Sequence, residues 1–215
     1  MYKMLDATYL DGTRYLCLTP HFHPGYYGNN QEKSRLSFER LRDYAQKHYT
    51  DLTLTLGNEL HYERGCVSWL EDEKCRSLND TKYVLIDFRS DETKYNISDG
   101  LDSLLHAGYT PILAHAERYD KIRNDQKFLS KYKRSGILIQ VNAGSLFGVF
   151  GLKARHAAKK LIKSKLADFL SSDAHDLEAR APGLKEAYKY IESKCGKDYA
   201  DAICFSNAHR LIFAK

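Results

Sequence analysis

Six residues of metal-ligand type recur along this 215-residue chain: His21, Glu59, Asp87, His115, Asp173 and His175. Neutral imidazole and carboxylate are the ligands of zinc, manganese and iron. No cysteine shares their positions, which favours Mn²⁺ over Fe or Zn²⁺. Asp173 and His175 stand at i and i+2, on one side of an extended chain. Two arginines, Arg118 and Arg180, follow His115 and His175 within a few residues. A guanidinium fork matches phosphate oxygens. Bound metals lower the pKa of a water towards about 7 and clamp phosphoryl oxygens. Arginines stabilise the charge that develops on them. Together these are the parts needed for phosphoester hydrolysis.

Each residue alone has an ordinary reading. His21 and His115 could be core histidines, Glu59 and Asp87 helix caps, Asp173 a turn residue. Arg118 could pair with Glu117 or Asp120. What points to a site is recurrence at the ends of apolar runs. The runs are "YLCLT" (15–19), "LTLTL" (52–56), "YVLIDF" (83–88), "TPILA" (110–114), "ILIQV" (137–141) and "LADFL" (166–170). They have strand length, and they are too apolar for a sheet with one wet face. Five of the six bear a ligand-type residue at or just past the end. In parallel α/β folds, that end is where sites lie. His23 and His61 lie beyond the ends and read as loop histidines. Asn142, after the fifth run, reads as a donor behind the ligands.

Helical patterns separate the runs, at 32–49, 97–108, 125–136, 152–165 and 183–196. Gly108 and Gly136 suit helix stops. Alternating strands and helices imply βαβ units and a parallel sheet, closed like a barrel or open and doubly wound. No G-x-G-x-x-G or Walker-type loop follows any run, which argues against a nucleotide site.

The bulk numbers set the frame. The length suits one domain over residues 1–215, and no Pro-, Gly- or Ser-rich linker divides it. Hydrophobic residues make up 43% and charged residues 28%. No apolar run approaches the roughly 18 residues of a membrane helix, and the start does not read as a signal peptide. Five scattered cysteines fit free thiols in a reducing cytoplasm. The net charge of +5 is mild. The densest basic stretch, 152–165, has helical spacing and reads as a solvated face, so neither nucleic acid nor membrane insertion is expected.

Six segments now form a pattern: "TPH" (19–21), "GNE" (57–59), "LIDF" (85–88), "PILAHAERY" (111–119), "QVNAGSLFGVFG" (140–151) and "SSDAHDLEARAPGLKEAY" (171–188). They resemble the PHP (polymerase and histidinol phosphatase) superfamily. More closely, they resemble its capsule-operon branch, the manganese-dependent protein-tyrosine phosphatases of bacteria. The resemblance covers nearly the whole chain. It implies a distorted (β/α)7 barrel with up to three metal ions. It implies a phosphotyrosine protein as substrate, the tail of a tyrosine autokinase controlling exopolysaccharide synthesis. By motif, His21 and His175 would share one metal. Glu59 would bridge the other two, joined by Asp173 on one and by Asp87 and His115 on the other. Arg118 and Arg180 would contact phosphate. Asp87 stands where the family usually has Glu, so its reach is shorter.

The family also opens with a D-x-H-x-H strand, and no such motif occurs in these 215 residues. The expectation is therefore a barrel missing its first strand, with fewer than three metals held and open edges that invite pairing with another chain, a homo-oligomer included. A catalytically impaired remnant that only binds phosphopeptide, and a PHP phosphatase of small metabolites, are the alternative readings.

Overall fold

The computed structural model describes residues 1–26 and 30–214. All strand pairings among them are parallel. Helix α1 (Tyr2–Leu10) leads into strand β1 (Tyr15–Leu18) and its short continuation β2 (His21–Phe22). After α2 (Gln31–His48), the chain repeats this two-part strand as β3 (Thr53–Leu56) and β4 (Glu59–His61). Then come α3 (Val67–Glu71), β5 (Tyr83–Asp87), α4 (Lys94–His106), β6 (Thr110–Leu113), α5 (Gln126–Arg134) and β7 (Leu138–Asn142). Helices α6 (Ala143–Phe147) and α7 (Gly151–Lys163) precede β8 (Phe169–Ser171). The chain ends in α8 (Leu184–Cys195) and α9 (Lys197–Asp201), with π-helical turns beyond.

The sheet order is β2-β4-β5-β6-β7-β8, with β1-β3 as a ribbon continuing its first two strands. This is a mixed α/β fold with a curled parallel half-barrel sheet. Among the described residues, β2 and β8 are its outer strands.

Alternation along the strands explains the two-sided packing. Val84, Ile86, Leu113, Ile139 and Val141 point to one face, where helix residues such as Leu101, Leu104, Leu129 and Leu161 cover them. Leu85, Ile112 and Phe169 point the other way and meet Leu211, Ile212 and Phe213 from the C-terminal turns. Each fully buried Leu or Ile contributes about 1.5–3 kcal/mol, and the buried polar residues of the central strands, Asp87, Gln140 and Asn142, lie towards their carboxyl ends.

The β1-β3 ribbon is covered on both sides, though less completely: all of β1 is half-buried, and Thr53 is exposed. Helices α1 and α2 cover one side, through Leu5, Leu41 and Ala45 packed on Leu16, Leu18 and Leu54. The C-terminal turns cover the other, with Tyr15 against Phe205, His209 and Phe213 and Cys17 in the cluster around Ile212. The expected strand at 166–170 forms as Phe169–Ser171. Asp168 departs from the ladder because its carboxylate accepts from the Ile139 N–H (2.9 Å) and from Lys133 (2.6 Å). Helix starts follow capping side chains: Asn30, Thr93 and Asp125 accept from the N–H three residues on. Thr93 is why α4 begins at Lys94, three residues before the hydrophobic pattern announces it.

Candidate metal centre

The strand ends converge on a cleft of about 220 Å³ lined by His21, Glu59, Asp87, His115, Arg118, Asp173 and Arg180, with Phe88, Ser90 and Tyr119. The "GNE" segment shows how the backbone aims these groups. A Cβ on Gly57 would come within 2.8 Å of the Leu78 side chain and 3.0 Å of its Cα, so only glycine passes there. Asn58 is buried and clamps two strands. Its amide donates to the Pro20 carbonyl (3.0 Å), and its oxygen accepts from the Arg76 N–H (2.8 Å). Glu59 is thereby placed in register with His21 on β2.

Glu59 is the centre of the first side of the cleft. One carboxylate oxygen lies 3.1 Å from His21 Nδ1, the other 2.9 Å from His115 Nε2. Burial works against the Glu59 charge, but the two imidazoles outweigh it and hold its carboxyl below the usual range. The hydrogen bond from Glu59 raises His21. Burial pulls His115 down, yet the bond to Glu59 and its charge raise it overall. Donor atoms of His21, Glu59 and Asp87 all lie within 4.8 Å of one another. The shorter Asp87 side chain therefore reaches the same point.

The second side is built differently. Asp173 Oδ2 accepts from Arg180 (2.6 Å) and from the Asn142 amide (2.6 Å), with Arg118 at 3.8 Å. His175 is more exposed. Its Nδ1 lies 3.6 Å from Asp173 Oδ1, and its ring stands 5.9 Å from that of His21.

Two of the six residues, His115 (φ 32°) and Asp173 (φ 47°), hold left-handed backbone. Such conformations cost about 1–3 kcal/mol each and collect at functional sites. Here the sharp turn after the strand swings each side chain back over the sheet end.

The donor set fits a metal ion: two imidazoles and two carboxylates converge, and His115 Nδ1 is buried without a hydrogen-bond partner. Seven of the eight residues anticipated from the sequence line this cleft; His175 is not among them and stands beside it, its Nδ1 3.6 Å from Asp173 Oδ1. Asn142 donates to Asp173, as its place after the fifth strand implied. His61 departs from its reading as a loop histidine: it belongs to β4, opposite Asp87, and its Nδ1 lies 3.0 Å from Asp87 Oδ1. Its i+2 spacing from Glu59 was the available signal. His23 is held by Glu63 at 2.9 Å. Glu117, fully buried, was not foreseen as part of the frame. Its Oε1 accepts from the Ser145 hydroxyl (2.5 Å) and the Asn142 N–H (3.2 Å), and burial raises its pKa.

Comparison with known proteins adds a lineage to this geometry. The family model described as capsular polysaccharide synthesis, CpsB/CapC, matches residues 1–213. Tyrosine-protein phosphatase CpsB of Streptococcus pneumoniae is 29% identical over 214 residues, covering 97% of this chain and 88% of the relative. Tyrosine-protein phosphatase YwqE of Bacillus subtilis (strain 168) is 30% identical over 196 residues, covering 91% and 77%. A putative tyrosine-protein phosphatase, CapC of Staphylococcus aureus, is 32% identical over 186 residues, covering 86% and 73%. A solved chain from a study of YwqE and CpsB, described there as unique metal-dependent tyrosine phosphatases, superposes with a TM-score of 0.83. It is 30% identical, and the match covers 93% of this chain and 81% of that one.

Proposed function

Because the chain belongs to the CpsB/CapC family of capsular polysaccharide synthesis, we propose that it is a metal-dependent protein-tyrosine phosphatase built as one domain of the distorted-barrel type. The observation that carries this reading is the cluster of His21, Glu59 and Asp87 donor atoms, with His115 on Glu59, facing two arginines across one cleft. A substrate of phosphotyrosine type fits; in this reading it is the tail of a tyrosine autokinase that controls capsule assembly, and the chain acts in the cytoplasm.

By the family motifs, Glu59, Asp87 and His115 would hold one metal, Glu59 and Asp173 a second, and His21 with His175 a third; the close approach of His21 to Glu59 and Asp87 brings these sites together. Manganese suits this nitrogen and oxygen set. When bound, the metal supplies Lewis acidity and an activated water. The chain's own residues do the rest. Arg118 and Arg180 bind the phosphoryl oxygens and stabilise their charge. His61 orients Asp87 through its Nδ1. Asn142 orients Asp173.

The test is turnover of an aryl phosphate and a phosphotyrosine peptide by residues 1–215, with Mn²⁺ and with chelator. A version extended by a D-x-H-x-H strand is assayed beside it. Manganese-dependent release of phosphate from phosphotyrosine, in preference to amino-alcohol or sugar phosphates, is expected. A chain that prefers the small metabolites, or stays inactive in both forms, refutes the proposal.

A further inference from the structure

The Phe150 ring lies close to both arginines. The guanidinium carbon of Arg118 stands 4.7 Å from its ring centroid, and that of Arg180 stands 5.3 Å away. Both lie within the roughly 6 Å over which a cation is attracted to an aromatic face. The Nε of Arg180 is buried and has no hydrogen-bond partner, as expected for a guanidinium seated on an apolar ring.

The ring is held firmly. It sits between Gly148 (φ 94°) and Gly151 (φ 85°), two positions that favour glycine. The Gly151 N–H donates to the Gly148 carbonyl (2.9 Å), and the Val149 N–H donates to the Gly144 carbonyl (3.1 Å). The buried Glu117, next to Arg118 in sequence, accepts from Ser145 on α6 at 2.5 Å. The segment presenting Phe150 is thereby tied to the segment presenting Arg118.

We propose that Phe150 is a positioning residue for phosphate binding: its ring is a shared platform that keeps the Arg118 and Arg180 guanidiniums side by side at the mouth of the cleft. This rests on the reading of the cleft as a phosphomonoesterase site. Two like charges need a counterweight. In this structure Asp173 supplies one, at 2.6 Å from Arg180 and 3.8 Å from Arg118. A carboxylate that also ligates a metal has less charge to give. The ring's contribution does not depend on what Asp173 binds. Stacking also occupies the guanidinium faces and leaves their N–H edges for phosphate oxygens.

The test compares Phe150→Leu, Phe150→Tyr and Phe150→Trp in the manganese-loaded protein. Phe150 is half-buried, so leucine preserves most of the packing. Direct binding of inorganic phosphate, followed by ³¹P NMR, gives a readout independent of turnover. Phe150→Leu is expected to weaken phosphate binding and lower kcat/KM by about tenfold. Metal content and Tm should be unchanged. Tyrosine and tryptophan should restore both, because they keep an aromatic face. Wild-type phosphate affinity in Phe150→Leu overturns this inference while leaving the phosphatase reading intact. So does a loss that the aromatic variants fail to rescue. Loss of phosphate binding in Phe150→Leu, in a protein that hydrolyses no phosphotyrosine, upholds the platform and refutes the phosphatase reading instead.

Discussion

The two sides of the cleft hold their charges in opposite ways. On the β2-β4-β5 side, a buried carboxylate is shared by two imidazoles, His21 and His115. On the β8 side, the Asp173 carboxylate is engaged by a guanidinium, with an amide and a second guanidinium alongside. Imidazoles release protons near neutral pH and can turn to a cation. Guanidiniums keep their charge and must stay cationic to meet an anion. In the proposed reading the first side exchanges protons for metal, and the second holds positive charge against a phosphate.

That contrast yields graded predictions. Glu59→Gln should have the largest effect, because it removes the charge between two histidines in a buried position. Breaking such a buried pair costs about 3–5 kcal/mol. The expected result is no manganese-dependent turnover, with a lowered Tm in calorimetry. An active Glu59→Gln variant would remove the basis for placing the metal on the first side. Next come Arg118→Ala and Arg180→Ala, each expected to lower kcat by about a hundredfold or more. Metal content, measured by atomic emission, should stay near wild type. If either variant loses metal instead, the division between the two sides fails. His61→Ala should weaken metal affinity by about tenfold to a hundredfold, since it removes only the group that orients Asp87. A chelator competition titration reads this directly.

The smallest effect is a pH dependence of the metal-free protein. His21 and His115 are held above their ordinary value of 6.5. A raised folded value contributes stability that is complete below that ordinary value and lost as pH rises through the raised one. Glu59 is depressed, so its share is lost only when pH falls through its low folded value. As pH rises above the ordinary histidine value of 6.5, the metal-free Tm should therefore decline, and Glu59→Gln should flatten the decline. A Tm that rises over this range would mean that the histidines are folded neutral. Metal affinity should climb with pH over the same range, because the metal competes with those protons.

The strand ends were legible from residue type alone. Apolar runs of five or six residues are driven out of water, so their ends fall where His115 and Asp173 stand. Spacing also indicated Arg118 and Arg180, each only a few residues past a ligand. Other features were less legible because they depend on what crosses from another element. His61 looked like a loop residue until the β4-β5 pairing put it opposite Asp87. Phe150 carries no charge and no motif of its own, and only folding brings it against guanidiniums 32 and 30 residues away in sequence.

What the sequence determined by itself was local: which segments extend, where helices cap, and which polar residues fall at the strand ends. These follow from side-chain alternation and backbone preference, which act over a few residues. The tertiary structure decided which carboxylate serves histidines and which serves arginines. Asp173 sits two residues from His175, yet its short contacts are to Arg180 and Asn142. Glu59 meets imidazoles 38 and 56 residues away. Charge interactions depend on distance through space and on burial, and both are set only when the strands come into register.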